Sequence, residues 1–132
     1  MRAHTRFVLL LCLLACGGCG KQKSTDELIA DLKSSQEGDR IKAARLLPQR
    51  EADAARIVPA LIESLKDKQG DVRWSAAIGL GYFGEQARDA IPALQTAQLD
   101  RDARVREAAG VALSRIDPNL PRQAVPGKAR GK

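Results

Sequence analysis

Apolar residues in this chain recur at helical spacing in paired runs, and the pairs repeat. Val58, Leu61, Ile62 and Leu65 lie on one face of the segment 57–66, and Val72, Ala76, Ala77, Leu80 and Phe83 on one face of 71–83. Spacings of three and four residues predict two amphipathic helices there. Gly70 lies between them, and Gly84 stands where a helix-ending glycine belongs. The same pattern returns downstream, with Ile91-Pro92-Ala93-Leu94 opening one helix and 105–116 forming the next. Pro59 and Pro92 occupy equivalent positions and mark helix starts, since a first turn does not need the missing N–H. Upstream, a less regular pair opens at Thr25 or Asp26, runs through Leu28, Ile29 and Leu32, and resumes at Asp39 with Ala43, Ala44 and Leu47. Pro48 should end or shorten its second helix.

The offset between these pairs is 33 residues: Leu28, Leu61 and Leu94 align, as do Arg40, Arg73 and Arg106, Ala43, Ala76 and Ala109, and Leu47, Leu80 and Leu113. A period of this length marks a solenoid, in which each unit is too small to bury its own apolar face and stacks on its neighbours. The expected fold is therefore all-α, with about three helical-hairpin repeats over 25–56, 57–89 and 90–118. The irregular first unit fits an end cap. Solenoids of this kind mostly bind other macromolecules, which makes a binding module the leading expectation.

The string from Asp71 to Gly84, D-V-R-W-S-A-A-I-G-L-G-Y-F-G, is echoed by Arg104 to Leu113, R-V-R-E-A-A-G-V-A-L. It resembles the HEAT-repeat family, and in particular the short bacterial HEAT-like repeats also found in phycobilisome bilin lyases. The resemblance spans about Thr25 to Pro118 and implies an α-α superhelix whose second helices line a concave surface. It also implies that Arg40, Arg73 and Arg106 pair with acidic residues of their own or the adjacent unit, forming a ladder along the stack. Asp71, Asp67, Asp100 and Asp102 are the available partners, and a planar guanidinium suits bidentate pairing. An anion-binding row is the alternative for these arginines. The resemblance carries no activity with it, because it rests on the repeat pattern.

The N-terminus reads differently. Arg2 and Arg6 precede the apolar run Phe7 to Ala15, which is too short for the roughly 20 residues of a membrane span. Leu13-Leu14-Ala15-Cys16 resembles the lipobox of bacterial lipoproteins. That makes 1–15 a signal peptide, Cys16 the lipidated residue with Cys19 as the alternative, and 16–24 a tether. Gly17 after Cys16, in place of Asp, favours the outer membrane where the cell has one. Cys16-Gly17-Gly18-Cys19 also matches a redox dithiol or half a zinc site, but no second cysteine pair accompanies it.

The formal net charge is +6, which on its own suggests a polyanion partner. Its distribution argues otherwise. Between Ser24 and Pro118 there are 14 Lys and Arg against 16 Asp and Glu, a balance of −2. The basic excess sits at the ends, in Arg2, Arg6, Lys21 and Lys23 and in Arg122, Lys128, Arg130 and Lys132. A mildly acidic solenoid is a poor platform for a phosphate backbone, so nucleic acid is only a minor alternative. The Pro- and Gly-containing basic stretch 119–132 is expected to be a disordered tail, able to bind an anionic surface such as phospholipid or polysaccharide.

Catalytic chemistry finds little support. The single histidine, His4, lies in the predicted signal peptide, which leaves the mature chain without an imidazole. No cofactor or metal is implied. Gly79-Leu80-Gly81-Tyr82-Phe83-Gly84 spells the dinucleotide pattern G-x-G-x-x-G, but it falls at the end of a helix instead of between a strand and a helix start. Close helix packing and a helix stop account for these glycines.

The sharper signal lies on the second helix of the middle unit. With Ala76, Ala77 and Leu80 on the core side, Trp74, Ile78 and Tyr82 fall opposite, one turn apart at about 100° per residue. Flanking units place Ile41, Arg45 and Gln49, and Glu107, Val111 and Arg115, at the same positions. An apolar patch ringed by charge is the anatomy of a binding hot spot, and it makes Trp74, Ile78, Tyr82, Ile41, Arg45, Val111 and Arg115 the expected partner-binding set. Packing of Trp74 and Tyr82 against neighbouring helices is the competing expectation. The expected partner is a protein, either foreign or a second copy docking through Trp74, Ile78 and Tyr82. Accessory ligand holding of the kind implied by the bilin-lyase resemblance is the second functional reading.

Overall fold

The computed structural model describes residues 22–121. The predicted signal peptide, Cys16, Cys19 and most of the basic tail lie outside the described residues. Among the described residues six α-helices run in order: α1 (Thr25–Asp31), α2 (Glu37–Leu46), α3 (Ala54–Ser64), α4 (Gly70–Phe83), α5 (Ile91–Ala97) and α6 (Ala103–Ile116). They form three hairpins, α1/α2, α3/α4 and α5/α6, with no strand among the described residues.

Local sequence accounts for several of the boundaries. Ser24 accepts from the Glu27 amide while the Glu27 carboxylate accepts from the Ser24 amide, a reciprocal cap that starts α1. Asp102 caps α6 by accepting from the Arg104 amide. Pro48 shortens α2: the helix stops at Leu46 after 10 residues, whereas α4 and α6 each run 14. Two 3-10 turns, Leu47–Gln49 and Glu51–Asp53, fill the remainder. Gly84 ends α4 at φ 51°, a conformation that side chains with a Cβ disfavour.

One boundary departs from expectation. α3 begins at Ala54, so Pro59 lies inside the helix and not in its first turn. Ala54 is buried, and its contribution to the core extends the helix upstream of the residue at which the apolar pattern becomes regular. Pro92 does sit at the second position of α5, where it costs no hydrogen bond.

The repeat period appears in three dimensions as a continuous core. Leu28, Leu61 and Leu94 are each at most 2% exposed, and Leu47, Leu80 and Ala43, Ala76 and Ala109 are fully buried. The second helices α2, α4 and α6 pack directly on one another. On the other layer, 3-10 segments intervene, and Gly84–Ala90 packs against both α3 and α5. Closer spacing in the second-helix layer than in the first makes it the inner, concave side of the stack. Two glycines permit that spacing. A Cβ on Gly79 would stand 3.0 Å from Pro48 of α2's trailing turn, and one on Gly81 would stand 3.1 Å from the Ala112 Cα of α6.

Candidate interaction groove

The inner face of α4 carries Trp74, Ile78 and Tyr82, one turn apart. Trp74 and Ile78 are half-buried and lean on the core, while Tyr82 is 67% exposed. Each aromatic ring is approached by an arginine from a neighbouring repeat. The Arg45 guanidinium of α2 lies 5.8 Å from the Trp74 ring centre, and that of Arg115 of α6 lies 5.8 Å from the Tyr82 ring centre. Arginine over an aromatic face gains electrostatic attraction from the ring quadrupole and leaves its charged edge available.

This row forms a ridge between two depressions. On the α6 side is a groove of about 410 Å³, walled by Trp74, Ile78 and Tyr82 on α4 and by Glu107, Val111 and Arg115 on α6. Its floor is set by the close approach of Gly81 to Ala112. On the α2 side a smaller one of about 210 Å³ lies against Ala44, Arg45 and Pro48. Val111, 48% exposed, adds a second uncovered apolar side chain. The arrangement offers an apolar, aromatic trough with a charged rim, in which Glu107 stands among the arginines, a shape suited to an amphipathic segment of a partner.

Of the expected set, Trp74, Ile78, Tyr82, Arg45, Val111 and Arg115 come together around these depressions. Ile41 does not line either one. The smaller groove lies against the last turn of α2 and the 3-10 turn forced by Pro48, and Ile41 sits a turn earlier. The sequence reading passed over Arg104, which borders the larger groove. It bridges Asp71 of α4 at 2.8 Å and Asp102 at 2.9 Å, fixing the rim where the two helices begin.

Arg40 and Arg73 pair with the next unit. Arg40 donates from Nε and Nη2 to Asp67 at 2.8 and 3.2 Å, and Arg73 does the same to Asp100 at 2.7 and 2.8 Å. In both, Nη1 donates to two carbonyls of the turn before its own helix: Ser34 and Ser35 for Arg40, Asp67 and Lys68 for Arg73. The Arg73 hydrogen bonds hold the Asp100 carboxyl below the usual aspartate value, against the opposing effect of burial. Burial pushes Asp67 up, but the Arg40 bonds and the Gln69 amide outweigh it and the net direction is down. Asp71 stands outside this arrangement, correcting its expected place there. At the exposed start of α4 its carboxylate meets Arg104, whereas Asp67 and Asp100 sit in the inter-helix turns that face the preceding arginine.

The G-x-G-x-x-G string occupies the last turn of α4 and its cap, with Gly79 and Gly81 buried in helix contacts. Among the described residues, no three His, Cys, Asp or Glu side chains gather into a metal-binding group, and no helix is long and apolar enough to cross a membrane.

Comparison with known proteins agrees with this architecture. Residues 25–114 match the HEAT repeats family. Among solved structures, the chain is similar to one in the complex of CpcE and CpcF of phycocyanin lyase from Nostoc sp. PCC7120. The identity is 32% and the TM-score 0.67, over 76% of this chain and 40% of that one. The present chain thus spans well under half the length of that relative. No curated protein matches it. With three stacked helical hairpins in register and a family match over nearly all of them, the chain belongs to the HEAT-repeat family.

Proposed function

We propose that the protein is a non-catalytic protein-interaction module, held at a bacterial envelope membrane by a lipid on Cys16 and engaging its partner through the inner face of α4. The observation that carries the reading is the row Trp74, Ile78 and Tyr82: aromatic and aliphatic groups bordering two grooves, the first two half-buried and the third exposed, with Arg45 and Arg115 within cation–π reach of the rings. Rigid aromatic anchors beside arginines supply much of the energy of protein interfaces. The solved relative is a subunit of a two-protein complex, which agrees with a partner-binding role. Extracytoplasmic placement, at the outer membrane where there is one, rests on the lipobox-like Leu13-Leu14-Ala15-Cys16 and on Gly17.

The experiment is crosslinked capture from membranes with wild type and with Ile78→Glu, after matching their helical signals. Loss of a wild-type partner in the variant supports the reading, and identical capture by both sinks it.

A second reading has the same trough hold a small ligand as an accessory to an enzyme system. It is favoured by the likeness to the phycocyanin lyase subunit and by the largely apolar lining of the larger groove. Purification with a bound chromophore or other small molecule, displaced by Ile78→Glu, would move the assignment to it.

A further inference from the structure

The last arginine of the series is set up like the others but left open. Arg106 Nη1 donates to the carbonyls of Asp100 and Arg101 at 2.8 and 3.2 Å, repeating the anchor that fixes Arg40 and Arg73. Its Nε and Nη2, the edge that grips Asp67 and Asp100 in the earlier units, meet no acceptor among the described residues. Arg106 is half-buried, so the guanidinium is held in place without a carboxylate.

Two further observations mark the same end of the stack. Where another unit follows, Ala77 and Gly81 are buried, and a Cβ on Gly81 would touch Ala112. Their equivalents 33 residues on, Gly110 and Ser114, are half-buried and exposed. Beneath Gly110 lies Gln98, 7% exposed, at the position where the earlier units bury Leu32 and Leu65. Its Oε1 has no hydrogen-bond partner among the described residues, and buried polar atoms normally have one.

We infer that this end of the solenoid is a second docking surface, which receives a helical hairpin of another protein through an aspartate in that hairpin's inter-helix turn, taken by Arg106 in the bidentate manner. The internal units define the occupant. It presents a turn carboxylate, as Asp67 and Asp100 do, and a small residue on its second helix, as Gly79 and Ala112 do. A second copy of this chain offers neither: its first unit has Ser34 in place of the aspartate and Leu46, 44% exposed, in place of the small residue. The following residues 122–132 contain no Asp or Glu. The surface is separate from the α4 groove and does not depend on it.

The test supplies the missing groups on a probe made from the chain itself. The full-length probe carries Ser34→Asp, Leu46→Ala and Arg106→Gln, with Asp39→Asn to remove the like charge beside residue 34. Its own Arg106 is gone, so it cannot stack on itself. Mixed in detergent with wild type, it is expected to form a one-to-one complex by sedimentation, weakened at least about tenfold when the acceptor also carries Arg106→Gln. A probe with wild-type helicity that does not bind, or binds both acceptors alike, overturns the inference. Binding that appears only after removal of 122–132 also overturns it, because the chain's own tail then covers the surface. A second measurement does not depend on the probe folding. In wild type, the Arg106 Nε–H resonance should move on titration with sodium acetate and not with sodium chloride, while those of Arg40 and Arg73 stay fixed. An unmoved Arg106 signal contradicts an open carboxylate site.

Discussion

The Arg73 guanidinium holds the Asp100 carboxylate through two parallel hydrogen bonds across the junction of the second and third repeats, with only 6% and 12% of the two side chains exposed. Removing one member of such a pair leaves the other charge buried without its partner. Asp100→Ala should therefore destabilise the fold by about 3 kcal/mol. Chemical denaturation monitored by helicity measures this directly. An exposed pair such as Lys66 with Glu63 should give less than about 0.5 kcal/mol on the same substitution.

The same junctions should weaken in acid. Asp67 and Asp100 both titrate below the ordinary aspartate value of 3.8 in the folded chain. Their contribution is fully present above 3.8, begins to fall as the unfolded chain takes up protons near that value, and is lost as pH drops through the lower folded values. Wild type should lose stability across this window, and Asp100→Asn should show a flatter acid limb. Denaturation midpoints measured between neutral pH and the aspartate range check both slopes.

Two glycines should respond in opposite directions to the same change. Gly38, near the start of α2, has open space where a Cβ would stand, so Gly38→Ala should stabilise by about 0.5 kcal/mol through helix propensity. In Gly81→Ala the new Cβ meets the Ala112 backbone at 3.1 Å, which cannot move cheaply. That substitution should cost about 1 kcal/mol despite the better propensity. Thermal melts of the two variants give the signs.

The proposed lipidation of Cys16 has its own test. Cys16→Ser should abolish incorporation of labelled palmitate in cells and release the protein from membranes, while Cys19→Ser should leave both unchanged. The opposite pattern moves the modification to Cys19.

Fold and site were unequally legible in the sequence. The period and the hairpins could be read because core positions recur every 33 residues and are filled by similar residues: Leu28, Leu61 and Leu94 all point inward. The start of α3 could not, since Ala54 carries no cap signal and joins the core only through packing against other elements. Nor could the choice between Asp67 and Asp71 as an arginine's partner. Both lie near turns, and only the stacking of units brings Arg40 to Asp67, 27 residues away. Helical angle placed Trp74, Ile78 and Tyr82 on one side of α4. How far each was covered depended on the neighbouring helices, which half-bury the first two and leave the third open.

The central claim is that the inner face of α4, and not the outer layer of first helices, meets the partner. Site-specific photo-crosslinking from position 82 tests it most directly, with position 96 on α5, also exposed, as the outer-layer control. The account predicts one discrete adduct from a photoreactive residue at 82, lost when Ile78→Glu is added, and none from 96. Equal adducts from both positions, or an adduct from 96 alone, would contradict it.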